Sequence, residues 1–257
     1  MSSLRNSIVC ITGASAGIGA ACAEAFAREG ASLFLSARRI DRLQALSDRL
    51  QKTFGIRILT RQLDVRNLRA VEQTFDSLPD DWKSIDVLVN NAGLSRGLQK
   101  LHEGSLQDWE EMIDTNVKGL LYVSRAVMPG MVRRNRGHII NIGSIAGHQV
   151  YPNGNVYCAT KAAVNVLTQG MRLDLLGTNV RVSTVDPGLV ETEFSIVRFR
   201  GNEERAKQVY ANTSPLRADD IAEVVLFCAQ RPPHVDIAEV IVMPTVQASA
   251  NHLFRTA

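Results

Sequence analysis

The sequence predicts a doubly wound α/β domain built on a parallel sheet. Three observations carry this. Seven short apolar runs alternate with amphipathic helical stretches, as expected where a sheet is covered on both faces. A glycine-rich turn joins the first run to the first helix. No linker, low-complexity tract or internal repeat interrupts the alternation, and 257 residues at 45% hydrophobic content are enough for one large core. A single domain over 1–257 is expected.

Strands are predicted near 7–12, 32–36, 57–63, 85–90, 137–143, 180–186 and 238–243. The first runs into Thr12-Gly13-Ala14-Ser15-Ala16-Gly17-Ile18-Gly19, ahead of a helix over 20–29. Its glycines give a tight turn, close backbone approach and a helix N-terminus with free N–H groups, which together suit a pyrophosphate. An ordinary glycine-rich turn is the plainer alternative. The second strand is followed by Arg38 and Arg39 with no carboxylate. In a dinucleotide site that chemistry suits a 2′-phosphate, hence NADP over NAD, unless both arginines simply join a solvated face.

Asp64-Val65 and Asn90-Asn91-Ala92-Gly93 end the third and fourth strands, at the carboxyl edge where ligands sit in such sheets. A long helix over 108–133 follows, with an apolar stripe through Trp109, Met112, Ile113, Val117, Leu120, Val123 and Val127. Asn116 falls on that stripe, either as a satisfied packing residue or as the holder of an ordered water. The fifth strand ends near Ser144, and Tyr157 and Lys161 then open another helix. At i and i+4 they share one helix face. A cation beside the phenol lowers its pKa from about 10 toward neutrality. Ser144, Tyr157 and Lys161 thus suggest a site that moves a proton at an alcohol or carbonyl, although Tyr-x-x-x-Lys alone also occurs on plain surface helices.

Composition narrows the partners. The 29 basic and 26 acidic residues leave a formal net charge of +3. The clusters Arg38-Arg39 and Arg133-Arg134-Asn135-Arg136 lack the length and aromatic interleaving of a nucleic-acid surface, and the second is expected to be a solvated helix end. Cys10, Cys22, Cys158 and Cys228 fit neither a disulfide frame nor a zinc site, and read as buried thiols of a reducing compartment. The five histidines show no metal-ligand spacing. With no leader-like or membrane-spanning run, a cytoplasmic protein without a membrane partner is expected. The tail over 247–257 is expected either to cover a neighbouring subunit or to fray.

Taken together, the glycine turn, Asn90 to Gly93, Asn116, Ser144, Tyr157-x-x-x-Lys161 and Pro187-Gly188-Leu189-Val190-x-Thr192 resemble the short-chain dehydrogenase/reductase family across essentially the whole chain. That resemblance implies a Rossmann-type sheet with strand order 3-2-1-4-5-6-7 and catalysis by Asn116, Ser144, Tyr157 and Lys161. It implies that Gly13, Ser15, Ala16, Gly17, Ile18 and Gly19 carry the pyrophosphate of NADP and that Arg38 and Arg39 meet its 2′-phosphate. Asp64, Val65 and Asn91 would line the adenosine. Pro187, Gly188, Val190 and Thr192 would place the nicotinamide, with Tyr157 and Lys161 beside it, and a lid would follow over about 190–215. A homodimer or homotetramer is also implied.

Leu63-Asp64-Val65-Arg66-Asn67, Asp114-Thr115-Asn116, the run from Gly137 to Ser144, and Glu193-Phe194-Ser195-x-Val197-Arg198-Phe199 further resemble the NADP-dependent 3-hydroxy acid dehydrogenases, which act on serine and allo-threonine. A small carboxylate substrate needs a cation, and the lid offers Arg198 and Arg200, with Arg198 preferred. A reductase of another carbonyl substrate, or a dinucleotide-binding regulator without turnover, is the alternative.

Overall fold

In the computed structural model, which describes residues 4–256, side chains alternate along each central strand and build a core on both faces of one sheet. In β1 (Ile8–Thr12), Val9 and Ile11 join the core on one face while Ile8 and Cys10 join the core on the other. β2 (Ser32–Ala37) repeats this with Leu33 and Leu35 against Phe34. A strand buried on both faces reads as an unbroken apolar run, which is why these segments stand out in the sequence.

The remaining strands are β3 (Ile58–Gln62), β4 (Val87–Asn90), β5 (Gly137–Ile142), β6 (Val180–Pro187) and β7 (Glu239–Val242). All pair in parallel in the order β3-β2-β1-β4-β5-β6-β7. The winding reverses between β1 and β4, and the crevice at their carboxyl ends is where an open α/β sheet binds ligands. The predicted order is the one observed.

Helices α1 (Gly17–Arg28), α2 (Ile40–Phe54) and α3 (Leu68–Asp76) cross between the early strands. α1 starts within the glycine turn, earlier than the expected start at residue 20. The long helix expected over 108–133 is three pieces: α4 (Leu106–Ile113), a π-helical turn over Asp114–Gly119, and α5 (Leu120–Arg133). Its apolar stripe also leaves Ile113 exposed. A π turn adds a residue to the helical repeat, and such turns mark functional sites; here it carries Asn116.

α6 (Asn155–Asp174) holds Tyr157 and Lys161. Beyond β6 come α7 (Phe194–Arg198), α8 (Glu203–Tyr210) and α9 (Ala218–Ala229), and a two-stranded ladder pairs Val190–Glu191 with Leu216–Arg217. This ladder closes the base of the lid segment and was not foreseen. The tail does not fray among the described residues. Gln247 bridges to Leu253, Ala250 N–H donates to the side chain of Gln149, and Thr256 N–H donates to Asn212 O. It folds back on its own chain, against Gln149 and Asn212. All four cysteines are buried and free. No helix among the described residues is long and apolar enough to cross a membrane.

Candidate active site

The carboxyl ends of the strands open into a cleft of about 620 Å³. Gly13, Ser15, Ala16, Gly17 and Ile18 form one wall. Gly13 and Gly17 have φ of +66° and +54°, and a Cβ on Gly13 would lie 2.9 Å from Ala92 Cα. Gly19 lies outside the lining; a Cβ there would meet Asn91 Nδ2 at 2.4 Å and Gly13 O at 2.6 Å. Asn91 is the reason for that crowding, since its amide donates to Thr12 O at 2.9 Å and Gly13 O at 3.2 Å, bracing the turn. Ala16, at the N-cap of α1, makes no side-chain cap, so the first N–H groups of α1 keep their donors for a ligand. These features fit a pyrophosphate.

Arg38, Arg39, Asp64 and Val65 line the next part of the cleft. Arg39 donates to Ser15 Oγ at 3.3 Å and pairs with Glu193 at 2.9 Å, so its guanidinium is fixed over the glycine turn. Arg38 is exposed at the rim. Asp64 is held by Arg66, whose guanidinium and backbone N–H lower its pKa against the opposing effect of burial. Two cations and no unpaired carboxylate suit the 2′-phosphate of NADP.

At the other end, Ser144, Tyr157 and Lys161 face the cleft together with Pro187, Gly188, Val190 and Thr192. Ser144 follows β5; its N–H donates to Asp186 Oδ1 at 3.0 Å and its Oγ accepts from Ala146 N at 3.1 Å. Asp186 is fully buried, and its other oxygen meets His148 Nε2 at 3.1 Å, which also lies 3.3 Å from Glu239. Burial raises the Asp186 pKa to about 6, with His148 opposing the rise. Sequence spacing hides this trio, because its members come from a loop, β6 and β7.

Lys161 donates from Nζ to Ile142 O at 2.8 Å, and burial lowers its pKa to about 8. Burial raises the Tyr157 phenol above its ordinary value, and the Arg198 guanidinium and a hydrogen bond with Ser144 only partly oppose the rise, so without cofactor the phenol is not lowered toward neutrality as the helix spacing predicts. The cation offsetting burial at Tyr157 is thus Arg198, where the helix spacing had pointed to Lys161, whose Nζ stands 6.0 Å from the ring centroid.

Asn116 does not line the cleft. Its Oδ1 accepts from Leu94 N at 2.8 Å, and its Nδ2 donates to Leu94 O at 2.8 Å and to Thr160 Oγ1 at 3.0 Å. It is a satisfied amide directly behind the site: a Cβ on Gly93 would lie 3.3 Å from Asn116 Oδ1 and 3.7 Å from Lys161 Nζ.

The two lid arginines part company. Arg200 turns away to Asp108 and Glu111, whereas Arg198 lines the cleft, with Nη2 3.2 Å from Tyr151 OH. Tyr151, Phe194, Gln247 and Arg255 also line it and were missed. They sit in a loop, the lid and the tail, where no periodic pattern announces a function.

A family profile described as short chain dehydrogenase matches residues 7–203. The NADP-dependent 3-hydroxy acid dehydrogenase YdfG of Salmonella typhi is 54% identical over 244 residues, covering 95% of this chain and 97% of that protein. An NADP-dependent 3-hydroxy acid dehydrogenase of Schizosaccharomyces pombe is 43% identical over 256 residues, covering 99% of each. A closed form of serine dehydrogenase complexed with NADP+ superposes with a TM-score of 0.92 at 48% identity, covering 97% of this chain and 100% of that one. Matched profile, near full-length relatives and a shared sheet agree with the glycine turn and the Ser144, Tyr157 and Lys161 wall: this chain belongs to the short-chain dehydrogenase/reductase family.

Proposed function

We propose that the protein is an NADP-dependent 3-hydroxy acid dehydrogenase, interconverting small acids of the serine, allo-threonine or 3-hydroxybutyrate type with their 3-oxo acids or semialdehydes. The observation that carries this reading is the juxtaposition of Ser144 and Tyr157 with Arg198, a cleft-lining guanidinium that has no carboxylate partner among the described residues. The named dehydrogenases it resembles support the same substrate class.

Gly13, Ser15, Ala16, Gly17, Ile18 and Gly19 hold the pyrophosphate end of NADP, directly or by shaping the turn; Arg38 and Arg39 take the 2′-phosphate, and Asp64, Val65 and Asn91 the adenosine side. Pro187, Gly188, Val190 and Thr192 place the nicotinamide. When bound, NADP supplies the acceptor for the substrate's hydride. The residues do the rest. Ser144 orients the substrate oxygen, and Tyr157 as phenolate takes the hydroxyl proton, returning it in the reductive direction. Lys161 holds the nicotinamide ribose, Asn116 holds the backbone behind Lys161, and Arg198 meets the carboxylate. Oxidation therefore accelerates with rising pH as Tyr157 ionises.

We further read the chain as one domain over 1–257 with a lid at about 190–215, working in the cytoplasm as a homo-oligomer, without nucleic-acid or membrane partners. Val166 and Leu173, 67% and 75% exposed on the outer face of α6, suit a subunit contact. An absorbance assay for reduced nicotinamide, giving NADP or NAD with serine, 3-hydroxybutyrate and an uncharged alcohol, tests the function. Turnover with NADP on the acids is expected; turnover confined to the alcohol contradicts the substrate class.

A further inference from the structure

Tyr151 and Arg198 do more than border the cleft. The Arg198 guanidinium carbon lies 5.6 Å from the Tyr157 ring centroid and 5.1 Å from that of Phe194, and Phe194 meets Tyr157 edge-on at 5.7 Å. The guanidinium therefore lies against both rings beside the reacting phenol, with Nη2 at the Tyr151 hydroxyl, 3.2 Å away. Its Nε is shielded from solvent and has no acceptor. A buried, unpartnered guanidinium N–H is a costly arrangement that an anion relieves.

No acid already present serves that need. The two carboxylates of the cleft are Asp64, paired with Arg66, and Glu193, paired with Arg39 and Arg42. Tyr151 is positioned with similar tightness: its ring occupies the space over Gly154, where a Cβ would approach Tyr151 Cε2 to 2.1 Å. The titratable and charged groups facing Tyr157 are Arg198 from α7, Tyr151 from the loop before α6, and Cys158 and Lys161 from α6 itself.

We propose that Tyr151 and Arg198 together form the receptor for the substrate carboxylate, and that Arg198 is at the same time the cation faced by the Tyr157 phenolate, so that the carboxylate and the phenolate compete for one guanidinium. The proposal rests on the 3-hydroxy acid reading above. Its consequence follows from linkage: if a bound carboxylate disfavours the phenolate, the phenolate weakens carboxylate binding by the same factor. An acid substrate then favours the protonated phenol, the form needed to reduce a 3-oxo acid. An uncharged alcohol leaves the guanidinium to Tyr157.

The test uses the full-length protein with NADP, comparing wild type with R198Q, R198K and Y151F on 3-hydroxybutyrate and an uncharged secondary alcohol, from about pH 6 to 11. In wild type, KM for the acid rises roughly 5-fold or more as pH climbs through the rising limb of kcat, while KM for the alcohol stays flat. R198Q raises the acid KM by roughly 10²-fold and moves the rising limb of kcat for the alcohol up by about one pH unit. R198K returns the limb without restoring the KM, because a lysine keeps the charge and loses the planar fork. Y151F raises the acid KM and leaves the limb in place.

An acid KM that ignores pH in wild type, or a limb unmoved in R198Q, overturns the competition. An acid KM unchanged in R198Q and Y151F overturns the receptor. NADPH fluorescence checks the fold of each variant, and if R198Q does not bind, the contrast between R198K and Y151F decides. Failure of the 3-hydroxy acid reading looks different: wild type then oxidises the alcohol and no acid at any pH, which removes the receptor with it.

Discussion

Arg39 shows how much one side chain settles. Ser15 and Glu193 fix its guanidinium above the glycine turn, where it would meet the 2′-phosphate of NADP. Arg39→Ala should raise KM for NADP by roughly 10- to 100-fold, the worth of a charge-assisted contact, and change KM for NAD little; steady-state kinetics with both cofactors checks this. Lys161 gives a second prediction. Its pKa falls from 10.5 in the unfolded chain to about 8 in the folded one, so between those values the unfolded state binds more protons and stability rises with pH. Relative to Lys161→Met, the wild type should gain up to about 3 kcal/mol from pH 7 to 10.5, read from paired urea melts. That Ser144, Tyr157 and Lys161 share one cleft was legible because proton transfer at an alcohol restricts the residue types and the helix fixes the spacing of Tyr157 and Lys161. Arg198 as the charge beside Tyr157 was half readable: the cation stands out after β6, but not the ring it lies against, because 41 positions separate the two and only the path of the folded chain brings them together.

At the scale of elements, the turn from β1 into α1 is the least tolerant. A methyl on Gly19 would collide with Asn91 Nδ2 and Gly13 O, and the second of these is backbone, which cannot swing away. Gly19→Ala should cost about 1–3 kcal/mol of stability and weaken NADPH binding, measured by chemical denaturation and fluorescence. The central strands were readable to within a few residues at each end because burial on both faces leaves long apolar runs. The break between α4 and α5 was not, since the stripe from Trp109 to Val127 keeps its period on either side and one extra residue per turn leaves little trace in composition. What the π turn accomplishes is local: it sets the Asn116 amide against both backbone groups of Leu94.

For the whole molecule, the lid and tail are one assembly. Gln247 Oε1 accepts from Leu189 N at 2.7 Å, and Arg255 donates to the carbonyls of Val209 and Ala211. Removing residues 249–257 should therefore loosen the lid and raise KM for the acid several-fold, roughly the loss of one or two hydrogen bonds, with kinetics as the readout. Such contacts join segments whose sequences carry no shared period, so the tail was unreadable in advance. The proposed proton transfer by Tyr157 is decided by the single-turnover rate of Tyr157→Phe with NADP and 3-hydroxybutyrate, beside its affinity for NADPH. A rate lower by at least about 10²-fold with affinity nearly unchanged is expected; a rate close to that of the wild type would rule the role out.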